Sequence, residues 1–371
     1  MRAGIYLHLP FCLKKCPYCD FYSLPFDGET ASRYVTALIN EAEGFPALES
    51  DTLYFGGGTP SLLAPGETAR LIDALSSRFS LPREAEITLE CNPASADLEK
   101  LKAFKTAGVN RLSVGVQSTD EVVLRAAGRP HGAAEALELL KEAQRAGFEN
   151  ISADIMIGLP GDTPEGLAKT VREVCAAGVS HVSAYMLKLM EGTPFYENRP
   201  SALPSEDESA ALYELCCEEL EKRGFEQYEI SNFARGEGFE SAHNKKYWQP
   251  GRWLGLGAAA HSCLGKRRYS FPRDLKGFLA RFERPAAENS FAEFLKFEGE
   301  LEAADSIMLR LRTREGLDLK ELKARFGASL EDKRDFIKKL EDAGLARFDD
   351  GVLRLTRAGF LVSNSVIAEL I

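Results

Sequence analysis

The chain has 371 residues, 44% of them hydrophobic and 27% charged, the make-up of a globular protein long enough for one large domain and a smaller companion. A formal net charge of -10 and an isoelectric point near 5.3 argue against broad binding to nucleic acid or anionic membrane, since both need a concentrated positive field. Eight cysteines are too few for a disulfide scaffold, and no uninterrupted apolar run reaches the length of a membrane span, so a reducing, cytoplasmic setting is expected.

The first apolar run, Gly4 to Pro10, reads as a strand entered without a basic leader, and it delivers the chain into Cys12-Leu13-Lys14-Lys15-Cys16-Pro17-Tyr18-Cys19. Three close thiolates fall one short of the four ligands of structural zinc, while they suit an iron-sulfur cubane whose fourth iron is left open. Packing in a loop, or zinc with a distant fourth ligand, is the plainer alternative. Short β-rich segments follow at Thr52 to Phe55, Glu86 to Glu90, Arg111 to Val116, Ile151 to Ile157 and His181 to Leu187, which with Ile5 to Leu9 makes six strands. Helical stretches separate them, most plainly Ala133 to Arg145, where Ala136, Leu139, Leu140 and Ala143 form one apolar stripe. Gly108, Gly147, Gly178 and Gly224 each follow a helical run and precede an apolar residue, the pattern of a helix exit into a returning strand.

Six β/α units give an open doubly wound sheet or an incomplete barrel. Polar and glycine-rich residues stand at the carboxyl ends of the strands, where parallel barrels carry their chemistry, and this favours an α/β fold with a partial (β/α)6 TIM-like barrel. Gly56-Gly57-Gly58-Thr59-Pro60 follows the second strand and is expected to offer backbone N–H and C=O groups to a ligand, a simple tight turn being the alternative. Glu90 is placed at the end of the third strand and Gln117 at the end of the fourth, and Asp154 interrupts the fifth; each is either a ligand contact or part of a core network. Cys175, Cys216 and Cys217 sit in helical stretches, where core packing accounts for them.

Leu203 to Gly224 reads as an outer helix, and Gly251 to Gly265, dense in glycine and alanine, is expected to bring backbone close to the barrel mouth. A linker is expected next, periodicity weakening from about Phe271 to Glu298. Helices are then expected at Glu300 to Leu311, Leu319 to Arg325 and Leu330 to Ala343, with short strands near Ala346 and Val352, a winged-helix-like pattern. The expected division is therefore a barrel over residues 1–270 and a smaller unit over 271–371. Residues 298–371 hold 15 acidic and 13 basic side chains, a balance of -2 that lacks the footprint of a DNA-binding wing, so no DNA is expected as partner.

On the cysteine spacing, the glycine loop and the polar strand ends, nearly the whole chain resembles the radical S-adenosylmethionine superfamily. Within it the likeness is to the family that unites oxygen-independent coproporphyrinogen III oxidases with heme chaperones. The resemblance implies that Cys12, Cys16 and Cys19 hold a 4Fe-4S cluster, and that Tyr6, Tyr18, Gly57, Gly58, Thr59, Glu90, Gln117, Arg129 and Asp154 contact S-adenosyl-L-methionine. The oxidase motif carries a further cysteine two residues after the last ligand, where this chain has Phe21, and His243-Asn244-Lys245-Lys246-Tyr247-Trp248 resembles the HNxxYW motif of the chaperone branch. Both features imply heme binding and transfer to an apo-hemoprotein acceptor rather than decarboxylation of coproporphyrinogen III, with a nucleic-acid-binding or RNA-modifying protein as a third class. Heme needs an axial donor, an apolar wall and cationic help. His243, Tyr247, Trp248, Lys245 and Lys246 supply those types, with His261 and Cys263 as rival donors. A membrane-associated respiratory acceptor and a homodimer complete the implied partners.

Overall fold

The computed structural model describes residues 2–284 and 295–371. All six expected strands form: β1 Ala3–Leu9, β2 Ser50–Gly57, β3 Glu86–Cys91, β4 Arg111–Gln117, β5 Asn150–Ile157 and β6 His181–Met186. They pair in sequence order and are parallel throughout. Helices α1 Gly28–Glu43, α2 Pro65–Arg78, α3 Leu98–Thr106, α4 Ala133–Arg145, α5 Pro164–Ala176 and α6 Glu206–Glu221 supply the outer layer.

The side-chain period of a strand sorts these residues into two faces. Ile5, Leu7 and Leu9 of β1, Leu53 and Phe55 of β2, Leu112, Val114 and Val116 of β4, and Ile151, Ala153, Ile155 and Ile157 of β5 enter the core shared with the helices. The alternating set, among them Tyr6, Tyr54, Glu90, Ser113, Gly115, Gln117 and Asp154, faces the barrel interior, where cavities open. Polar residues inside apolar runs thus lie on the inner face of the sheet. The stripe Ala136, Leu139, Leu140 and Ala143 of α4 is fully buried against the sheet. Gly108, Gly147, Gly178 and Gly224 lie just past the ends of their helices at φ +110, +89, +80 and +78, a conformation that glycine adopts without steric cost.

Beyond the six strands, β7 Glu226–Glu229 and β8 Asn232–Ala234 extend the edge at β6 antiparallel. At the other edge β9 Arg252–Leu256 joins β1 in parallel, followed by the antiparallel β10 His261–Leu264, β11 Arg267–Ser270 and β12 Lys296–Glu300. The resulting 12-stranded sheet ends at β12 and β7, which do not pair with one another, so the barrel is partial. Between the wings lies α7 Ala242–Tyr247, the helix of the HNxxYW segment.

The large unit does not stop at residue 270. Helix α8 Leu275–Phe282 buries Leu275, Phe278, Leu279 and Phe282 in the same core as β1 and α1, with the Tyr34 and Phe278 rings 5.1 Å apart, and β12 prolongs the main sheet. Part of the expected linker, residues 285–294, lies outside the described residues. A second core gathers Ile307 to Leu370. It is built from α9 Ala303–Arg310, α10 Leu319–Phe326, α11 Arg334–Asp342 and α12 Ser363–Leu370 around three antiparallel strands, β13 Leu317–Asp318, β14 Ala346–Asp349 and β15 Val352–Leu355. Ile230 N–H donates to the Arg312 carbonyl at 2.9 Å, Arg314 N–H to Tyr228 at 2.9 Å, and Arg314 pairs with the buried Glu240 at 2.7 Å, which fixes this unit on the barrel wing. No helix among the described residues is long and apolar enough to cross a membrane.

Candidate cofactor-binding site

Cys12, Cys16 and Cys19 stand on the loop beyond β1 and line one cavity of about 420 Å³ at the carboxyl ends of the strands. The loop is held at its base by a short parallel pair, Phe11–Cys12 with Leu24–Pro25, and by the Phe26 N–H donating to the Cys12 carbonyl at 3.0 Å. The thiols have polar neighbours: Thr59 Oγ1 lies 3.6 Å from Cys12 Sγ and Arg129 Nη1 3.4 Å from Cys16 Sγ. Burial pushes the Cys19 thiol up to about 11, so a metal must displace its proton before the sulfur can serve as a ligand. Among the described residues no trio of His, Cys, Asp or Glu converges as a single-ion site. Three free sulfurs lining one cavity suit a cluster in which each takes a different iron, and fall one short of the four ligands of a structural zinc.

Tyr18, Gly57, Gly58, Thr59, Glu90, Gln117, Arg129 and Asp154 line the same cavity. Glu90 accepts from the Tyr54 hydroxyl at 2.9 Å and from the Gly57 N–H at 3.1 Å. Asp154 takes the Ser113 hydroxyl on both oxygens, at 2.9 and 2.8 Å, and the Ser152 hydroxyl at 3.2 Å. Burial, then the charge of Asp154, pushes the Glu90 carboxyl up to about 7, and burial raises that of Asp154 as well. Two carboxyls that share a poorly solvated space and resist ionisation are stabilised by an incoming cation. Arg129 reaches the Gly115 carbonyl at 2.8 Å and the Tyr18 hydroxyl at 3.4 Å. Its Nε is buried with no partner among the described residues, a donor left over for an anionic group.

The glycine loop differs from its sequence expectation in one respect. Its N–H groups are already used, Gly57 on Glu90, Gly58 on the Leu9 carbonyl at 2.9 Å and Thr59 on the Phe11 carbonyl at 2.7 Å, so the loop's remaining offer is its C=O groups. Gly57 sits at φ +111 with the His8 ring 2.7 Å from where a Cβ would stand, and a Cβ on Gly58 would stand 2.5 Å from the Phe11 carbonyl oxygen. Glycine is required here by close packing. At the end of β4, Gln117 is left-handed at φ +67, a costly backbone for a non-glycine residue that turns its amide into the cavity beside Arg129.

A second cavity of about 620 Å³ adjoins the first and shares Asp20, Phe21, Tyr54, Gly57, Glu90 and Tyr185 with it. Tyr6 faces this second cavity, not the thiol cavity, and lies 3.1 Å from His8 Nδ1, while His8 Nε2 lies 2.9 Å from the Tyr22 carbonyl. Asn244, Tyr247, Trp248 and Trp253 form a wall.

His243 lies behind that wall and does not line the cavity. Its ring has 0% exposure, Nδ1 lies 2.8 Å from Thr52 Oγ1 and Nε2 3.0 Å from the Tyr247 hydroxyl, so no nitrogen is left for iron. The two lysines are also spent, Lys245 on Glu240 and Lys246 on Asp51, both at 2.7 Å. Cys263 is fully buried, whereas His261 is exposed and lines the cavity.

Other cavity residues were missed from sequence. Asn92, Ser113, Tyr185, Leu187, Lys188 and Met190 line the first cavity. Ser113 and Tyr185 fall on inner-face positions of their strands, a signal available from the two-residue period; the loop after β6 carries no motif. A buried relay also went unseen, running from the Tyr228 hydroxyl to His181 Nε2 at 2.8 Å, from Nδ1 to Ser152 Oγ at 2.7 Å and on to Asp154.

Residues 6–174 match the model of the radical SAM superfamily and 302–362 that of the HemN C-terminal domain. The chain is similar to the bovine (Bos taurus) "Radical S-adenosyl methionine domain-containing protein 1, mitochondrial", 35% identical over 100% of this chain and 87% of that one. It is also similar to the heme chaperone HemW of Lactococcus lactis, 32% identical over 99% and 96%. In three dimensions it resembles the coproporphyrinogen III oxidase HemN of Escherichia coli, with a TM-score of 0.83 at 24% identity over 100% and 90% of the two chains, a likeness of fold. Full-length identity of this order to named relatives, on a barrel with three thiols at its mouth, places the chain in the HemW-like family of the radical S-adenosylmethionine superfamily.

Proposed function

We propose that the protein is a heme chaperone that holds a 4Fe-4S cluster on Cys12, Cys16 and Cys19, binds S-adenosylmethionine in the cavity beside it, and hands heme to an apo-hemoprotein acceptor. The observation that carries this reading is the shared wall between the two cavities: the thiols lie in one, an aromatic chamber of macrocycle size adjoins it, and Phe21 stands at the join, 59% exposed, where the oxidase motif has a cysteine. The names of the full-length relatives support the same choice.

When bound, the cluster and S-adenosylmethionine supply one-electron redox chemistry. The chain's own residues orient and shield. Carbonyls of the glycine loop and the carboxylates of Glu90 and Asp154 accept from an ammonium and from ribose hydroxyls, Gln117 adds an amide, and Arg129 pairs a carboxylate. Ser113 and Ser152 hold Asp154 in place as an acceptor. A cytoplasmic setting, a membrane-associated respiratory acceptor and a homodimer belong to the same proposal.

The test is anaerobic reconstitution with iron and sulfide, followed by parallel incubation with heme and with coproporphyrinogen III. Tight heme binding with transfer to an apo-hemoprotein, and no protoporphyrinogen IX, is expected. Robust formation of protoporphyrinogen IX would overturn the chaperone reading in favour of the oxidase.

A further inference from the structure

The second cavity contains an imidazole prepared as a metal ligand. His261 opens β10 at the cavity edge, is 63% exposed on its side chain, and has its Nδ1 3.2 and 3.3 Å from the two carboxylate oxygens of Glu298 on β12. Glu298 is itself held by the Ser270 hydroxyl at 2.7 Å, and Ser270 is the register partner of His261 across β10 and β11. A carboxylate on Nδ1 fixes the tautomer with the proton on that nitrogen and leaves the Nε2 lone pair free. This is the second partner that metal-bound histidines ordinarily carry, here present on a ring with no buried role.

The surroundings select the metal's carrier. Trp248, Trp253, Tyr22 and Phe21 line the same cavity, flat apolar surfaces for a planar macrocycle, and its volume of about 620 Å³ is in the range of small-molecule sites. Arg273 is exposed at its rim and makes no ion pair among the described residues, which leaves a guanidinium for a peripheral carboxylate. A small hydrated cation leaves most of this flat apolar surface uncovered, and a metal-free apolar ligand leaves the polarised imidazole unused.

We infer that His261, positioned by Glu298, is the axial iron ligand of a heme packed on the indoles of Trp248 and Trp253, with Arg273 on a propionate. This rests on the proposed heme-carrying function and assigns its site. The HNxxYW segment then contributes through Trp248, while its histidine stays inside the core.

The test titrates the cluster-loaded, full-length protein anaerobically with ferric heme and, separately, with metal-free protoporphyrin IX. Wild type is expected to bind heme with a histidine-ligated spectrum. His261→Ala should lose that spectrum, recover it on addition of free imidazole, and bind metal-free protoporphyrin as wild type does. Glu298→Gln should keep the ligand but weaken heme about tenfold, the usual effect of losing such a partner. Trp248→Ala should weaken both porphyrins. If wild type binds heme and His261→Ala shows the same spectrum and Kd, this assignment falls while the chaperone reading stands. Equal losses of heme and metal-free porphyrin in His261→Ala would make the residue a wall and overturn its role as ligand. Wild type that binds no heme sinks both.

Discussion

His243 and Thr52 meet inside the core, Nδ1 to Oγ1 at 2.8 Å, although the imidazole belongs to the segment whose motif suggested a heme ligand. The ring lies 5.0 Å from that of Tyr54 in a stacked pair and edge-on to Tyr247 at 5.2 Å, so it ties α7 to β2 and to the aromatic wall. Removing it leaves Thr52 and Tyr247 hydroxyls without a partner and opens a cavity. His243→Ala is expected to cost about 2–4 kcal/mol, read by urea denaturation, and to leave the ligation spectrum of bound heme unchanged. A stable variant with an altered heme spectrum would return His243 to the iron.

The same burial gives a pH signature. Burial first, then the charges of Lys246 and Arg111, lowers His243 to about 3, and burial lowers His8 to about 4. In the unfolded chain both titrate near the ordinary imidazole value of 6.5, so below that pH the unfolded state binds protons that the folded state refuses. The imidazole contribution to stability is therefore expected to fall as the pH drops from 6.5 towards 4. Carboxyls raised by burial, Glu90 among them, pull the other way over part of this window, so the share of one imidazole is read as the difference between wild type and His8→Phe: the loss of urea midpoint from pH 7 to pH 5 should be smaller in the variant, and an equal loss would contradict a neutral, buried His8.

Replacing Cys12, Cys16 and Cys19 together by Ala is expected to abolish the visible absorbance of the reconstituted cluster while far-ultraviolet circular dichroism persists. The thiols sit on a loop fastened by Phe11–Cys12 and Leu24–Pro25, above a core built from Ile5, Leu7 and the other strands. Full iron-sulfur absorbance in the triple variant would move the cluster elsewhere.

The six strands were legible because each combines β-branched or aromatic residues with two-residue alternation, and the helix exits because glycine is needed at positive φ. The thiol cavity was legible because its residues are strand ends and a loop of fixed spacing. What sequence could not supply was facing. His243 lies on a short helix of six residues, too short for periodicity to say which side is buried. Tyr6 lies one residue from core positions, and which cavity it meets depends on the neighbouring strand β9, more than 240 residues later in the chain. Helix α8 was not called because its apolar stripe is one turn long on either side of Gly277 and is followed by a polar stretch, yet its partners Tyr34 and Phe271 draw it into the first core.

Gly57→Ala is expected to destabilise the protein by about 1–3 kcal/mol and to slow cluster loading. The residue holds φ +111, and an added Cβ would stand 2.7 Å from the His8 ring, which is itself pinned by Tyr6 and the Tyr22 carbonyl and cannot give way cheaply. Gly66, with open space around it, is the control: Gly66→Ala should be neutral or stabilising. Equal behaviour of the two variants would show that the loop is slack.

Glu90 provides the sharpest test of the charge stored at the site. Its carboxyl is pushed from 4.5 up to about 7 by burial and by Asp154, so between those pH values the folded state holds a proton that the unfolded state has lost. For this group stability declines as pH rises through that window, opposite in sign to the histidines. A cationic ligand binds the carboxylate form and must expel the proton below pH 7. The affinity of the reconstituted protein for S-adenosylmethionine is therefore expected to rise with pH from 6 towards 8, approaching about tenfold per unit on the acid side if one proton is released. Calorimetry in buffers of different ionisation enthalpy counts that proton directly. Glu90→Gln keeps an oxygen for the Tyr54 hydroxyl while removing the titration, and should bind more weakly with a flatter pH profile. A variant that retains the full slope would assign the proton to Asp154, the other carboxyl raised by burial in the same cavity.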